Sequence, residues 1–281
     1  MGNQELTAQT PPFEVGSVSE FVKIAGSPND GGTVRWFRGI SSTQYELKPT
    51  LYRLKSEASG PVLGINRLLD VEEWLLDRFS ERSAPFREGP SPVVKIDYLF
   101  EMQHYGVPTR LLDWSESALV ALWFAVQGKA DEFDAAIWVL NPAKWNDLVF
   151  SQQRSVNNVL SPHSETVDSM QPWTATRRDV LADPPVCIYG VHNTKRIVSQ
   201  RGVFTLGGLS TSSIEDQAGE LARAGSCSSK DLLFRITIPA AARPQIRAEL
   251  VNLGFTQSMI FPDLTGLARE LVERLDESGL L

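Results

Sequence analysis

The sequence predicts an α+β fold: a single domain with helices mainly in the N-terminal half and a mostly antiparallel sheet built largely from the C-terminal half. Three observations support this prediction. Apolar residues at helical spacing dominate the first half, short β-branched and aromatic runs are commoner in the second, and no Pro/Ser-rich linker separates them. The 281 residues are 42% hydrophobic and include seven Trp, which is enough for a substantial core.

Helices are predicted where apolar residues recur at intervals of three and four. They span Val15–Ala25, Asn66–Ser80, Lys95–His104, Ser117–Gln127, Ala240–Leu253 and Leu264–Leu275. Residues 1–12 are polar and end in Pro-Pro, so we predict a mobile tail before a domain over residues 13–281. Ser17 or Ser19 is expected to cap the first helix. Asp113 followed by Glu116 resembles a capping box before the fourth helix.

Strands are predicted in short runs that are rich in β-branched and aromatic residues. They span Val34–Phe37, Ala135–Leu140, Val186–Tyr189, Val203–Leu206, Leu232–Ile238 and Phe255–Ile260. Between the second and third of these strands, residues 141–185 are irregular and polar. We predict that they form a long surface excursion with a helical turn near Pro142–Leu148.

Composition excludes several functional classes. The net charge of -7 and the pI near 5.1 argue against a protein that coats duplex nucleic acid, although a local basic groove stays compatible with them. Cys187 and Cys227 lack metal or redox spacing, and the three His are far apart, so no metal site is predicted. The absence of a leader at the N-terminus favours a cytoplasmic protein. The longest apolar run, Ala118–Val126, is too short to cross a membrane.

The densest group of polar residues lies directly before an apolar helix. It consists of Gln103, His104, Arg110 and Asp113, and it is typical either of a binding or catalytic site or of a structural network. In the structural interpretation, Arg110 and Asp113 pair with each other and fasten the loop to the core. His104 could act as an acid or base, donate to a ligand, or form a core hydrogen bond. The sequence leaves these alternatives open.

Three further segments carry candidate functional groups. Arg38 ends a predicted strand and is followed by Gly39, which frees the backbone, so its planar guanidinium could bind a phosphate or carboxylate; a structural ion pair is the alternative. The segment from Arg196 to Ser213 contains a strand and a Ser/Thr run that could be only a flexible turn. Asp263 precedes a helix and could simply cap it.

These segments together resemble the FRG domain, a largely uncharacterised family found mostly in bacteria and their mobile elements. The matching motifs are Phe37-Arg38-Gly39, Lys48-Pro49-Thr50-Leu51-Tyr52-Arg53, Gln103 through Trp114, Gln200-x-Gly202-x-Phe204-Thr205 and Phe261-Pro262-Asp263-Leu264. The resemblance extends over nearly the whole chain.

The chain also resembles ADP-ribosyltransferases of the Arg–Ser–Glu type. The resemblance implies NAD as substrate, a macromolecular acceptor and a role as a bacterial toxin or phage-defence effector, with a neutralising partner. Arg38 would then bind NAD, with His104 beside it as a further catalytic candidate and Gln103 and Arg110 as binding residues. Thr205 or Ser210–Ser212 would support the nicotinamide pocket, and Asp263 or Glu249 would be the acid. The alternative function is a non-catalytic module that binds a nucleotide or nucleic acid.

Overall fold

A six-stranded antiparallel sheet forms the centre of the protein in a computed structural model. The structure describes residues 13–27, 34–87, 91–128, 132–150, 159–171, 183–191 and 194–277, so the predicted tail lies outside the described residues. The strands are β1 (Trp36–Ile40), β2 (Leu111–Ser115), β3 (Ala135–Leu140), β4 (Val186–Tyr189), β5 (Gly202–Leu206) and β6 (Leu233–Ile238). Their order across the sheet is β4-β5-β2-β1-β3-β6, and every neighbouring pair is antiparallel.

Helices occur throughout the described chain. They are α1 (Val18–Ala25), α2 (Ile65–Ser83), α3 (Lys95–His104), α4 (Ala118–Val126), α5 (Pro142–Phe150), α6 (Glu165–Ser169), α7 (Lys195–Gln200), α8 (Ile214–Ala224), α9 (Arg243–Asn252), α10 (Gln257–Ile260) and α11 (Leu264–Glu277). The predicted α+β class is confirmed. Helices are not concentrated in the first half, however, and β1, β2 and β3 all precede residue 141. None of the described helices has the length and apolarity needed to cross a membrane.

Two local predictions were wrong: the capping box at Asp113 and the strand at Phe255–Ile260. Leu111–Ser115 is a strand in which Leu112 and Trp114 point to one face and Asp113 to the other, so Asp113 is not part of a capping box. Phe255–Ile260 is not a strand. Its last residues form α10, where the Thr256 side chain accepts a hydrogen bond from the backbone N–H of Met259.

The two faces of the sheet are covered by different helices. One face carries Phe37, Ile137 and Ile236, which pack with α1, α4 and α9 at one end, while α2 and α3 cover its other end around Phe204. The opposite face carries a core that includes the fully buried Trp145 of α5. Part of the predicted excursion over residues 141–185 therefore contributes to the core.

Gly39 allows α4 to lie directly on β1. A methyl group at this position would come within 1.9 Å of the carbonyl oxygen of Ala121 and 2.7 Å of the amide nitrogen of Ala125. Both obstacles are backbone atoms of a buried helix, so they cannot move aside as a flexible side chain would. The glycine next to Arg38 is required for close packing and not, as the sequence suggested, for backbone freedom.

We expect Gly39→Ala to lower the free energy of unfolding by about 1–3 kcal/mol or more, because α4 must shift away from the sheet. Chemical denaturation would measure the change. Gly219→Ala is the matched control, since Gly219 lies inside α8 with no atom within 4 Å of the added methyl group. That variant should gain roughly 0.5–1 kcal/mol from helix propensity. Equal stability of both variants would contradict the packing argument.

Glu270 joins α10 and α11 through charge-assisted hydrogen bonds. Its Oε2 accepts from the hydroxyl of Ser258 at 2.5 Å and from the backbone N–H of the same residue at 3.1 Å, while Arg274 contacts Oε1 at 2.7 Å. The hydrogen bonds from Ser258 and Thr256 hold the pKa of Glu270 at about 2. The ionised form is therefore the one that stabilises this junction.

Because the pKa of Glu270 is lower in the folded than in the unfolded protein, its contribution to stability is present above about pH 4.5 and is lost as the pH falls toward 2. We expect Glu270→Gln to be less stable than the wild type at pH 7, and the difference in free energy of unfolding to shrink at pH 3. Denaturation at both pH values measures it. Glu273→Gln, which removes a carboxylate one turn away without the Ser258 contacts, is the control. A difference that does not change with pH would contradict the prediction.

Candidate functional site

A cavity of about 240 Å³ lies on the first face of the sheet, between the part covered by α4 and the part covered by α3. β1 and β2 meet there with Phe37 opposite Ser115. Phe37, Phe100, Phe124 and Phe204 contribute its apolar walls. Its polar residues come from four elements and are Arg38, Gln103, His104, Asp113, Ser115, Arg196 and Gln200. The combination of apolar walls and a few convergent polar groups is typical of a small-molecule site.

A chain of hydrogen bonds orients the Asp113 carboxylate. The Thr109 hydroxyl donates to Gln103 Oε1 at 2.6 Å, and Gln103 Nε2 donates to Asp113 Oδ2 at 2.7 Å. The Asp113 side chain is 52% exposed. This carboxylate is therefore positioned by protein contacts and still open to a ligand.

Arg38 connects the two central strands. Its Nη1 donates to the Asp113 backbone carbonyl at 2.5 Å and lies 3.8 Å from Asp113 Oδ2. Burial is the main cause that lowers the pKa of Arg38. The charge of Asp113 raises this pKa, and the charge of Arg53 lowers it further. An arginine stays protonated in proteins even so. The Arg38 side chain retains 24% exposure, and its buried Nε finds no acceptor among the described residues.

Arg196 brings a second cation to the cavity from α7. Its guanidinium carbon lies 4.6 Å from the centre of the Phe261 ring, and its Nη1 donates a long hydrogen bond of 3.5 Å to the His104 carbonyl. The pKa of Arg196 is lowered by burial, against the raising effect of Asp113 and Asp263. The cavity therefore holds two guanidinium groups around one oriented carboxylate.

His104 ends α3 and stacks edge-on against Tyr105, with ring centres 4.8 Å apart. Its pKa is lowered, mainly by burial and then by the Arg196 charge, although Asp263, Glu101 and Asp113 act in the opposite direction. The imidazole is consequently neutral at physiological pH. A neutral imidazole can accept a proton or donate a hydrogen bond.

Arg110 does not reach the cavity. It is 1% exposed; its Nε lies 2.8 Å from Glu72 Oε2, and its Nη2 donates to Gln171 Oε1 at 2.7 Å. Its backbone N–H also donates to Glu72 Oε1 at 2.9 Å. The predicted pair between Arg110 and Asp113 is therefore wrong, because positions 110 and 113 alternate to opposite faces at the start of β2. Arg110 does fasten the scaffold, but through Glu72.

The candidates for the nicotinamide pocket lie elsewhere. Thr205 is buried and its hydroxyl accepts a hydrogen bond from Trp114 Nε1 at 3.2 Å, while the Ser210 and Ser212 hydroxyls bond to each other at 2.8 Å. Thr205 and Ser210 share a separate small cavity of about 10 Å³. A space of that size holds at most a water molecule.

The candidate acids also have structural contacts. Asp263 is exposed, and its Oδ1 accepts from the backbone N–H of Gly266 at 2.8 Å, as a helix cap would. Glu249 accepts from the backbone N–H of Val18 at 2.8 Å and so holds α1. Neither side chain lines the cavity, although the charge of Asp263 acts on His104 and Arg196.

Arg196 and Gln200 stood in candidate segments but were not predicted as site residues, and both line the cavity. The sequence did contain a signal for them. Thr194 caps the helix α7, and Arg196 and Gln200 are four residues apart, so they lie on the same face of that helix. Asp113 was recognised but was given the wrong partner. No group of three or more His, Cys, Asp or Glu with metal-binding geometry occurs among the described residues.

The fold and the cavity define an α+β protein with a polar pocket that contains two arginines and lies between the two groups of helices that cover one face of the sheet. Residues 34–134 match the model of the FRG domain, the family that the motifs predicted, and the motifs at Gln200–Thr205 and Phe261–Leu264 lie outside the matched residues. The matched segment supplies Arg38, Gln103, His104 and Asp113 to the cavity, whereas Arg196 and Gln200 come from outside it. No curated protein and no solved structure matches the chain.

Proposed function

We propose that the cavity binds NAD and that the protein transfers the ADP-ribose group of NAD to a macromolecule. The observation that carries this proposal is the arrangement of Arg38, Arg196 and Asp113 around one cavity, with a neutral His104 beside them. Guanidinium groups suit a pyrophosphate, since their planar forks bind phosphate oxygens in pairs. Asp113 takes the place of Asp263 as the acid, because its carboxylate lines the cavity.

The size of the cavity suits one half of the dinucleotide. Its volume of about 240 Å³ lies just below the ~300–1,000 Å³ of ordinary small-molecule pockets. The nicotinamide ring and its ribose would lie between the phenyl walls, with the pyrophosphate at the two arginines. The adenosine half would extend across the mouth.

The reaction breaks the bond between ribose C1 and the nicotinamide nitrogen, and the bonding electrons leave with neutral nicotinamide. C1 then has oxocarbenium character, which a nearby carboxylate stabilises, as in glycoside hydrolysis. A hydroxyl or amine of the acceptor forms the new bond to C1 and gives up its proton. His104, which lines the cavity and is neutral at physiological pH, would take that proton.

A second candidate function has its own support. The Asp113 carboxylate already accepts from Gln103 Nε2 at 2.7 Å and lies 3.8 Å from Arg38, which favours a structural use of its charge. In that case the cavity would bind a nucleotide without turnover. Arg38 and Arg196 would still contribute most of the binding free energy for the nucleotide.

Two measurements on the wild type separate these functions. Incubation with NAD labelled in the adenosine half, together with cell extract, should give labelled macromolecules and free nicotinamide. Calorimetric titration with ADP-ribose, which lacks the bond to be broken, should show binding in either case. Binding without nicotinamide release would favour the module, and absence of both from folded protein would refute the NAD site.

A toxin or phage-defence role and a neutralising partner extend the same proposal. If they hold, expression of the wild type should slow bacterial growth, and Asp113→Asn should relieve the effect at equal protein level. Growth that is equally slow with both would argue against ADP-ribose transfer as its cause.

A further inference from the structure

One motif of the sequence, Phe261–Leu264, does not line the cavity. It directly follows α10, which packs against α7. Ile260, the last residue of α10, is fully buried, and its carbonyl accepts from Ser199 Oγ at 3.1 Å and from Gln200 Nε2 at 3.2 Å. Both donors belong to α7. The residue before the motif therefore holds the helix that carries Arg196.

The motif begins with Phe261, whose ring lies against the Arg196 guanidinium. The guanidinium carbon is 4.6 Å from the ring centre, within the distance over which an aromatic face attracts a cation. Trp123 and Phe124 of α4 pack edge-on with the same ring, with ring centres 5.9 and 6.1 Å away. Trp123 is buried, and Phe124 lines the cavity. The core therefore holds the Phe261 ring in place beside the arginine.

Hydrogen bonding does little to fix the Arg196 side chain. Among the described residues, its hydrogen bond is the one to the His104 carbonyl, which at 3.5 Å is longer than an ordinary hydrogen bond. An arginine carries several N–H donors, so most of those of Arg196 are available to a ligand. A mobile side chain loses rotamer freedom when it binds a ligand, and this loss weakens binding. The contact that restricts Arg196 beforehand is the Phe261 ring.

We propose that Phe261 is a positioning residue: its ring holds the Arg196 guanidinium where this group binds a phosphate of the substrate. The inference rests on the proposed binding of a pyrophosphate in the cavity. A guanidinium that lies on a ring by its face can still donate from its edge, because its N–H groups lie in the plane of the group. The ring therefore reduces the side-chain entropy that Arg196 loses when the phosphate binds.

Calorimetric titration with ADP-ribose measures this role. Phe261→Leu removes the ring but keeps an apolar side chain, and we expect it to raise the dissociation constant about three- to tenfold, as the loss of one cation–π contact would. Phe261→Tyr keeps the ring and should bind like the wild type. Phe255→Leu is the matched control, because Phe255 packs against the same core without lining the cavity. Equal affinity of the two leucine variants, or an equal loss in Phe261→Leu and Phe261→Tyr, would overturn the proposal.

A double-mutant cycle shows whether Phe261 acts through Arg196. In the Arg196→Ala background, Phe261→Leu should cause no further loss of affinity, because no guanidinium is left for the ring to hold. Losses that multiply in the double variant would show that the ring acts by packing alone, and would overturn the positioning role. Phe261 is only partly buried, so these variants should fold. Phe261→Met, whose flexible side chain fills the same space, takes the place of Phe261→Leu if that variant is unstable.

The His104 imidazole reports the position of the Arg196 charge without any ligand. Burial lowers the pKa of His104, the Arg196 charge lowers it further, and the charges of Asp263, Glu101 and Asp113 raise it. The three carboxylates are unchanged in all the variants. The pKa of His104, measured by NMR titration, should therefore rise in Arg196→Ala.

The same titration separates the positioning role from the proposed function. In Phe261→Leu the guanidinium is no longer held beside His104, so the His104 pKa should rise part of the way toward its value in Arg196→Ala. Phe255→Leu should leave this pKa unchanged. An unchanged pKa in Phe261→Leu would overturn the positioning role even if the wild type binds ADP-ribose. A raised pKa, together with a wild type that does not bind ADP-ribose, would support the hold of the ring on Arg196 and refute the pyrophosphate site.

Discussion

Arg110→Met is expected to lower the free energy of unfolding by about 3–5 kcal/mol. Arg110 and Glu72 are 1% and 0% exposed, and the substitution leaves the Glu72 carboxylate buried without its cation. Burial already raises the pKa of Glu72, and the Arg110 charge is the main cause that opposes it. The loss therefore arises largely from an uncompensated charge, which costs more than the pair itself contributes.

The pH dependence of this loss has a definite sign. Without Arg110 the pKa of Glu72 in the folded protein rises further above its unfolded value, so the penalty is full at high pH and is relieved as Glu72 binds a proton. We expect the deficit of Arg110→Met to be larger at pH 8 than at pH 5. Urea denaturation at the two pH values measures it. A deficit that grows toward low pH would contradict the assignment.

Two further variants isolate the pair. Glu72→Leu combined with Arg110→Met should recover most of the stability, because two apolar side chains can replace a buried ion pair at little cost. Arg82→Met, on the exposed part of α2, should change the free energy of unfolding by no more than about 0.5 kcal/mol. If Arg110 instead served the cavity directly, the single variant would fold normally and lose only affinity for ADP-ribose.

The sequence predicts those parts of the fold that local pattern determines. α3 matches its predicted bounds, and Ser17 caps α1 as expected, because apolar spacing and capping act within a few residues. β2 was missed because its five residues directly precede a strongly apolar helix, and Asp113 and Glu116 resembled a capping box for that helix. Only pairing with β1 and β5 identifies it as a strand.

The candidate site also contains residues that local sequence identifies and residues that only long-range contacts identify. Arg38, Gln103 and His104 could be selected from residue type and motif, and all three line the cavity. Arg110 satisfied the same criteria, but its burial depends on Glu72, which lies 38 positions earlier in the chain. Arg196 lies on α7, four residues before the Gln200 that begins a predicted FRG motif, and no local pattern in the sequence directs its side chain to the cavity. Long-range partners decide which polar residues face a ligand, and a single sequence does not contain them.

Arg38→Ala is expected to reduce ADP-ribose affinity or NAD turnover by about a hundredfold or more. Charge-assisted contacts in a partly desolvated site are each worth about 3 kcal/mol, which corresponds to a factor of 10² to 10³. The structural cost should be smaller, because Arg38 is 24% exposed and gives up one bond to the Asp113 carbonyl. Titration calorimetry and denaturation on the same preparation separate the two effects.

Arg38→Lys distinguishes charge from geometry at this position. Lysine keeps the positive charge but lacks the planar fork. It therefore cannot bind two oxygens of one phosphate and at the same time reach the Asp113 carbonyl. We expect it to recover only a small part of the lost affinity. Arg35→Ala is the matched control, since Arg35 lies one residue before β1 and contacts the Ile24 carbonyl and the Phe234 ring. Affinity that falls equally in Arg35→Ala would show that net charge, and not the arrangement of guanidinium groups at the cavity, attracts the ligand.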